Sequence, residues 1–154
     1  KRTWKNNQDL RVEHHAPQFT DEGFELYRQY QLQWHQVENA PDASEYRSFL
    51  LESPVATEMI HYYLQEQLIG IGWIDRLANL LSSVYFVFNP QYASRRLGVF
   101  SLLYELHYGE KLGYSWLYLG YWVEHSQKMK YKAEYAPAEL LINQQWIPFA
   151  EYIL

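Results

Sequence analysis

Residues 80–113 read LLSSVYFVFNPQYASRRLGVFSLLYELHYGEKLG and contain a predicted strand, a loop and a predicted helix in succession. The first nine residues are rich in aromatic and β-branched side chains, and Asn89-Pro90 ends them, which is typical of a β-strand. After the loop, apolar side chains recur at helical spacing until Gly113, which predicts a helix of about four turns. We expect a ligand to bind at this strand-loop-helix unit. The apolar positions of the helix are Leu97, Phe100, Leu103, Tyr104 and Leu106.

Strands with a side-chain period of two precede this helix. Gln65-Glu66-Gln67 is a turn region that joins two of them into an antiparallel hairpin, and an earlier short strand ends at Pro17. Between that early strand and the hairpin, Thr20 is typical of a helix N-cap, and a second short helix follows a break at 39–42. The predicted strands are 10–16, 57–65, 68–75 and 80–88.

Three further elements are predicted after the long helix: a strand at 116–122, a short helix or turn at 126–135, and a closing strand or hairpin at 139–149 around Asn143-Gln144. Nothing in the sequence resembles a repeat or a linker, so we expect residues 1–154 to form one domain. The order of elements predicts an α/β (α+β) fold with a mixed, mainly antiparallel sheet flanked by helices.

The composition limits the possible chemistry. The chain has no cysteine, which excludes a disulfide, a thiol nucleophile or a cysteine-ligated metal within these residues. Its six histidines lack the spacing of a helical metal site, so we interpret them as structural and predict no metal. No apolar run approaches the roughly 20 residues of a membrane span, and we expect a soluble, cytoplasmic protein without a membrane partner. Because the chain begins at Lys1, we expect it to be part of something longer.

Charge is unevenly distributed along the chain. Residues 1–93 contain 7 basic and 12 acidic side chains, whereas residues 94–154 contain 6 of each. The basic residues of the second part cluster at Arg95-Arg96 and in the run KMKYK at 128–132. An acidic protein can still bind phosphate through a local basic face. The loop Ser94-Arg-Arg-Leu-Gly98 leads into a helix N-terminus, which favours a phosphate or a developing oxyanion, although an ordinary helix start explains it equally well.

This loop resembles the pyrophosphate loop, Arg/Gln-x-x-Gly-x-Gly/Ala, of the GCN5-related N-acetyltransferase fold. Here Val99 and Phe100 follow Gly98, where that pattern has a second small residue.

A closer resemblance extends over nearly the whole chain and is carried by several blocks, in order and at compatible spacing. The blocks are LIGIGWID at 68–75, LLSSVY at 80–85, FNP at 88–90, RLGVFS at 96–101, YLGY at 118–121, KMKYK at 128–132 and PAEL at 137–140. Together they are similar to the C-terminal domain of the arginyl-tRNA:protein transferases, a family that includes the bacterial aspartate/glutamate leucyltransferases. The family's cysteine-containing N-terminal domain is not among these residues, and Glu124-His-Ser-Gln127 replaces its common Gly-Cys-Pro-like run.

The resemblance implies transfer of arginine or leucine from aminoacyl-tRNA to the N-terminal amine of proteins that begin with Asp or Glu, which marks them for degradation by the N-end rule. It implies an N-acetyltransferase-like fold, with aminoacyl-tRNA as co-substrate and no cofactor. An aminoacyl ester is already activated, so the enzyme mainly has to align the amine and stabilise an oxyanion.

The predicted site residues follow from these demands. Asp75 ends an apolar strand and is a candidate general base or amine anchor, although a capping role is equally open. Tyr85 is the second catalytic candidate, and its ring is also a candidate to stack on the terminal adenine. Cations suit phosphates and an acidic acceptor, and aromatic rings suit the terminal adenine, although most of the 15 tyrosines must be core. The substrate and tRNA candidates are Arg95, Arg96, Gly98, Tyr118, Tyr121, Lys128, Tyr131 and Lys132.

Two alternatives stay open at the level of sequence. The first is an acetyl-CoA-dependent N-acetyltransferase, which would bind coenzyme A at 95–98. The second is a non-catalytic module that recognises acidic N-termini or RNA and binds without turnover.

Overall fold

The computed structural model describes residues 1–126 and 129–152. The chain divides into two compact units, Lys1–Tyr118 and Leu119–Leu154. That both units belong to one domain stays a prediction. Among the described residues, no helix is both long enough and apolar enough to cross a membrane.

A five-stranded sheet forms the centre of the first unit. Its order is β1-β2-β3-β4-β5. Strands β1 to β4 pair with one another in antiparallel fashion, and β5 pairs in parallel with β4. A mixed, mainly antiparallel sheet flanked by helices was predicted from the sequence, and it is confirmed. The strands are β1 (Leu10–His15), β2 (Ala56–Leu64), β3 (Gln67–Arg76), β4 (Leu80–Phe88) and β5 (Trp116–Tyr118).

Two helices of this unit, α2 and α3, begin where the sequence supplies N-caps. The side chain of Thr20 accepts a hydrogen bond from the backbone N–H of Gly23, and that of Asp42 accepts one from Glu45. A π-helical segment, Tyr30–Trp34, continues the first of these two helices. The helices are α1 (Arg2–Lys5), α2 (Asp21–Gln29), α3 (Ala43–Leu50) and α4 (Leu97–Lys111), the last preceded by a 3-10 helix, Pro90–Arg95.

Side chains that alternate along the strands pack into two apolar clusters, one on each face of the sheet. Ile71 and Trp73 of β3 pack with residues of α2 and α3, whereas Ile74 packs in a second cluster with Phe100 of α4. Each fully buried side chain of this size contributes roughly 1.5–3 kcal/mol relative to exposure. The sheet therefore has an α2/α3 face and an α4 face.

The pattern predicted for α4 was partly wrong. Leu106 lies 44 % exposed, whereas the polar Ser101 and Glu105 are buried. Glu105 can face the sheet because Ser101, one turn earlier, donates a hydrogen bond to it, so the buried face of α4 is not an unbroken apolar stripe.

One boundary and one further element also differ from prediction. The strand expected at 116–122 ends at Tyr118, because Gly120 adopts a left-handed conformation with φ 71°. The short helix α1 was not predicted.

The second unit contains a 3-10 helix, Lys130–Glu134, and a hairpin of β6 (Glu139–Ile142) and β7 (Gln145–Pro148), followed by α5 (Phe149–Tyr152). The hairpin turns at Asn143 and Gln144, as predicted, and both residues have positive φ.

Candidate functional site

The N-terminus of α4 is open. The first turn of a helix leaves backbone N–H groups without partners inside the helix, and the side chain of the N-cap residue, Arg96, does not cap them. Arg96, at the N-cap, is in the left-handed region with φ 56° and ψ 48°, a conformation that is uncommon outside glycine and that clusters at functional sites. This terminus can hold an anion.

The two arginines of the loop are placed differently. Arg95 forms a bidentate ion pair with Asp9, at 2.9 and 2.8 Å. The hydrogen bond from Arg95 lowers the pKa of Asp9, against a smaller opposing effect of burial. By contrast, Arg96 is exposed, and no described residue forms a hydrogen bond or ion pair with its guanidinium. Of this predicted pair, Arg96 is therefore the cation available to a ligand.

Gly98 leaves space beside this terminus. A Cβ atom at this position would lie 3.8 Å from the ring of Phe86, an ordinary contact distance. Packing therefore does not require a glycine, and the absence of a side chain leaves the backbone open to close approach.

The two catalytic candidates share the α2/α3 face of the sheet. Asp75 lies two residues after Trp73 on β3, and Trp73 is directly opposite Tyr85 on β4. The hydroxyl of Thr57 donates to Asp75 Oδ1 at 2.5 Å. A β-bulge at Val84 shifts the pairing of β4 between Trp73 and the next residue of β3, which fixes the face on which Tyr85 lies.

Tyr85 is half-buried and held by hydrogen bonding and ring contacts. The Nε2 of Gln31 donates to its hydroxyl oxygen at 2.8 Å, and its ring lies 5.4 Å from Phe49 and 6.4 Å from Tyr27. Burial raises the pKa of Tyr85, against the smaller effect of Gln31. The hydroxyl therefore stays protonated at neutral pH and can donate a hydrogen bond.

The predicted residues of the second unit are used differently. The ammonium of Lys132 donates to the backbone carbonyls of Leu119 and Tyr121, at 2.5 and 2.7 Å, and burial lowers its pKa. The Lys132 ammonium group thus stabilises the conformation of residues 119–121 and does not project into solvent. Tyr121 itself is 89 % exposed and Tyr131 is 37 % exposed.

Two predicted positions complete the account of the site. Tyr118, in the first unit, is the last residue of β5 and lies opposite Ser82 of β4. Lys128 lies outside the described residues.

Sequence reasoning missed Glu105, which is 1 % exposed on the α4 face. Burial raises its pKa to about 7, against the lowering effects of the Ser101 and Ser83 hydroxyls. Among the described residues, none forms a hydrogen bond of good geometry with its Oε2 atom. A Cβ atom at Gly72 would lie 3.7 Å from its other oxygen, so the helix packs closely on β3 here. The Ser-x-x-x-Glu spacing, which places a hydroxyl one helical turn before the carboxylate, was the sequence signal that could have indicated a buried Glu105.

A second polar network was also missed. Glu58 is bonded to Arg76 at 2.6 Å, to His14 Nδ1 at 3.0 Å and to the hydroxyl of Tyr108 at 3.0 Å. Burial opposes ionisation, but these hydrogen bonds outweigh it and lower the pKa of Glu58. The other ring nitrogen of His14 pairs with Tyr104 at 2.9 Å, so this histidine is fully engaged within the fold.

Solved structures identify the class of fold. An aminoglycoside acetyltransferase from an uncultured soil metagenomic sample superposes with a TM-score of 0.61 at 12 % identity, over 90 % of this chain and 95 % of that one. The ribosomal-protein-S18-alanine N-acetyltransferase from Escherichia coli gives 0.56 at 11 % identity, over 84 % and 79 %. The fold is that of the GCN5-related N-acetyltransferases, and at these identities the likeness concerns the fold alone.

Sequence comparison then identifies the family. Residues 22–142 match the family described as "Arginine-tRNA-protein transferase, C terminus", and the chain belongs to it. The aspartate/glutamate leucyltransferase of Hahella chejuensis is 38 % identical over 95 % of this chain and 63 % of its own length. The enzyme of the same name from Acinetobacter baylyi is 38 % identical over 95 % of this chain and 55 % of its own. The chain thus spans less than two thirds of these relatives.

Proposed function

We propose that this chain is the acyl-transfer part of an aminoacyl-tRNA:protein transferase. It moves leucine or arginine from aminoacyl-tRNA to the N-terminal amine of proteins that begin with Asp or Glu. The observation that carries this proposal is the match to the transferase family over residues 22–142, supported by similarity to aspartate/glutamate leucyltransferases over 95 % of the chain.

The reaction needs no cofactor, because the ester bond of aminoacyl-tRNA is already activated. The neutral amine attacks the ester carbonyl, a tetrahedral oxyanion forms, and the bond from carbonyl carbon to ribose oxygen breaks. The amine loses one proton and the departing ribose oxygen gains one, so the products are an amide and a free tRNA 3′ end. An α-amine with a pKa of about 7.7–8.0 is partly neutral at cellular pH, so a weak base suffices.

The residues of the first unit have matching roles in this proposal. Asp75 accepts or steers the proton of the amine, and Tyr85 donates its hydrogen bond to the developing oxyanion. The open terminus of α4, with Arg96 and Gly98, holds a phosphate near the 3′ end of the tRNA. Arg95 contributes indirectly by anchoring the loop to Asp9.

In the second unit, Lys132 supports the loop that carries Tyr121, and the rings of Tyr121 and Tyr131 are candidates for stacking on the terminal adenine. Tyr118, at the end of β5 in the first unit, is an alternative candidate for the same role. We further propose that the protein acts in the cytoplasm, where charged tRNA is found, and that its products are degraded by the N-end rule.

The test is a transfer assay with the full-length protein. Radiolabelled leucyl-tRNA and arginyl-tRNA are each mixed with peptides that begin with Asp, Glu or Ala. Transfer restricted to the Asp and Glu peptides supports the proposal and identifies the donor. Absence of transfer, together with tight binding of coenzyme A, would replace it with an acetyltransferase, and peptide or RNA binding without turnover would replace it with a recognition module.

A further inference from the structure

Strand β1 lies at one edge of the five-stranded sheet. Among the described residues it pairs only with β2, so the backbone N–H and C=O groups on its outer side belong to no ladder with another described strand. Such an edge is a template for pairing with a further strand. The outer edge of β1 is therefore a surface on which a partner of the right sequence can bind.

The side chains of β1 alternate between the two faces of the sheet. Val12 packs against the apolar cluster on the α4 face. Arg11 lies on the opposite face, where its Cζ atom is 4.3 Å from the centroid of the Tyr63 ring. Glu13 lies on that same face and forms an ion pair with Arg11, and their side chains are 38 % and 45 % exposed. The edge thus carries two accessible charges of opposite sign, two residues apart.

This charge pattern allows β1 to pair with a second copy of itself. In an antiparallel pair, directly opposite side chains lie on the same face, so the two-fold axis passes between two copies of one residue. Two registers overlap by five of the six residues of the strand. With Val12 at the axis, Arg11 of each copy lies opposite Glu13 of the other. With Glu13 at the axis, two carboxylates oppose each other and Arg11 lies opposite His15, which is unfavourable.

We propose that β1 is a self-complementary interface through which two copies of this protein associate, by antiparallel pairing centred on Val12. The ion pair between Arg11 and Glu13 then forms twice, once on each side of the axis, and the two sheets join into one. A two-fold contact between identical patches is the commonest arrangement in homo-oligomers. This inference concerns association alone and does not depend on the proposed function.

The size of the interface limits its strength. A strand pair of this length is small beside the roughly 1,200–2,000 Å² that standard specific interfaces bury. Exposed ion pairs contribute little affinity, but they fix register and select partners, because like charges placed opposite each other are strongly unfavourable. We therefore expect a weak, reversible dimer with a Kd on the order of 10–100 µM.

Sedimentation-velocity ultracentrifugation of the full-length protein, from about 1 to about 300 µM, should show a reversible shift from monomer to dimer. Arg11→Glu and Glu13→Arg, each alone, place like charges opposite each other at both pairs. Each should weaken association at least about tenfold. The double variant Arg11→Glu, Glu13→Arg restores opposite charges and should restore the dimer.

A mixture of the two single variants separates an interface from an effect on the fold. Each single variant carries two like charges on its own strand, so its ion pair is lost within a copy as well as between copies. When Arg11→Glu protein is mixed with Glu13→Arg protein, a strand with two negative charges meets a strand with two positive charges. A heterodimer should then form at least as tightly as the wild-type dimer. Damage confined to each copy could not be repaired by mixing.

Arg28→Glu is the matched control, because it reverses one member of another exposed ion pair, that of Glu25 and Arg28 on α2. It should leave association unchanged. A full-length protein that stays monomeric over the whole concentration range would overturn the inference, whether the edge is open or is covered by another segment of the full-length chain. A dimer that persists in both single variants, or a mixture that forms no heterodimer, would also overturn it.

Discussion

The side chain of Tyr85 is the clearest catalytic candidate in the first unit. Gln31 occupies one lone pair of its oxygen, and burial keeps its proton in place, so the hydroxyl is prepared to donate a hydrogen bond. This assignment could be made from the sequence only through a family resemblance, because nothing in the pattern LLSSVY separates a functional tyrosine from a core one.

Removing the hydroxyl of Tyr85 tests its role. In Tyr85→Phe the ring contacts with Phe49 and Tyr27 remain, so we expect the fold and the binding of aminoacyl-tRNA to be retained, with a loss of about 1 kcal/mol of stability because the Gln31 amide loses its acceptor. The kcat of transfer should fall about 100-fold, as for loss of one oxyanion donor. Single-turnover kinetics measure this, and an unchanged rate would remove Tyr85 from the chemistry.

Glu105 gives a prediction about pH. Its pKa in the folded protein, about 7, lies above the ordinary value of 4.5, so the folded state favours the protonated form. The stability that this group contributes is complete below about pH 4.5 and is lost as the pH rises towards 7. The loss should be about 3 kcal/mol, since each pKa unit corresponds to about 1.4 kcal/mol.

The measurement compares the wild-type protein with Glu105→Gln, which cannot ionise at this site. Urea unfolding at several pH values from 4.5 to 7.5 should show the wild type losing free energy of unfolding relative to the variant. Parallel curves over this range would show that Glu105 does not titrate there.

At the scale of elements, helix α4 has two ends with different tasks. Gly98 lies in the open first turn, with free space beside it, whereas a Cβ atom at Gly109 would lie 3.3 Å from the Leu81 side chain. The sequence alone does not distinguish a glycine that leaves space for a ligand from one that is required by close packing, whereas the packing in the structure does.

We expect Gly98→Ala to fold with unchanged or slightly raised stability, because alanine favours helices and its methyl group meets Phe86 at contact distance. Binding of aminoacyl-tRNA should weaken about tenfold, because the methyl group hinders close approach to the free N–H groups. Gly109→Ala, on the same helix, is the matched control and should keep the affinity. Thermal unfolding and equilibrium binding together separate the two effects, and equal affinity in both variants would exclude the α4 terminus as an anion site.

The sequence predicted the strands well because their alternation and the intervening turns are local signals. Thr20, Asp42 and Asn143-Gln144 marked element boundaries through side-chain or backbone chemistry that needs no tertiary information. The buried face of α4 could not be predicted, since Glu105 is admitted to the core only by a partner hydroxyl.

The candidate site was harder to predict for the same reason. Asp75 and Tyr85 share a face because of pairing in the sheet and a bulge at Val84, and sequence spacing specifies neither. Arg95 was predicted to be a phosphate ligand, but in the structure it pairs with Asp9, which lies 86 residues away in the sequence.

At the scale of the whole molecule, the net charge of −5 opposes the proposed binding to tRNA, so in that proposal the few available cations determine where contact occurs. The sequence shows two basic clusters of equal promise. The structure separates them, since Arg96 is exposed without a described partner whereas Lys132 is committed to the carbonyls of Leu119 and Tyr121. For anion binding, the hydrogen-bond partners of each cation therefore matter more than the net charge of the chain.

This difference predicts how each residue contributes to the salt dependence of tRNA binding. Each phosphate contact adds close to one unit to the slope of log affinity against log salt. Arg96→Gln should therefore reduce the slope by about one, and Lys132→Met should leave it unchanged, because a cation already bonded to two carbonyls releases no counterion from the tRNA. Lys132→Met should instead accelerate hydrogen exchange in residues 119–121, where two carbonyls lose their donor. Binding measured from 50 to about 300 mM salt, with Lys111→Gln at the far end of α4 as the surface control, would contradict this division if Lys132→Met lowered the slope as much as Arg96→Gln.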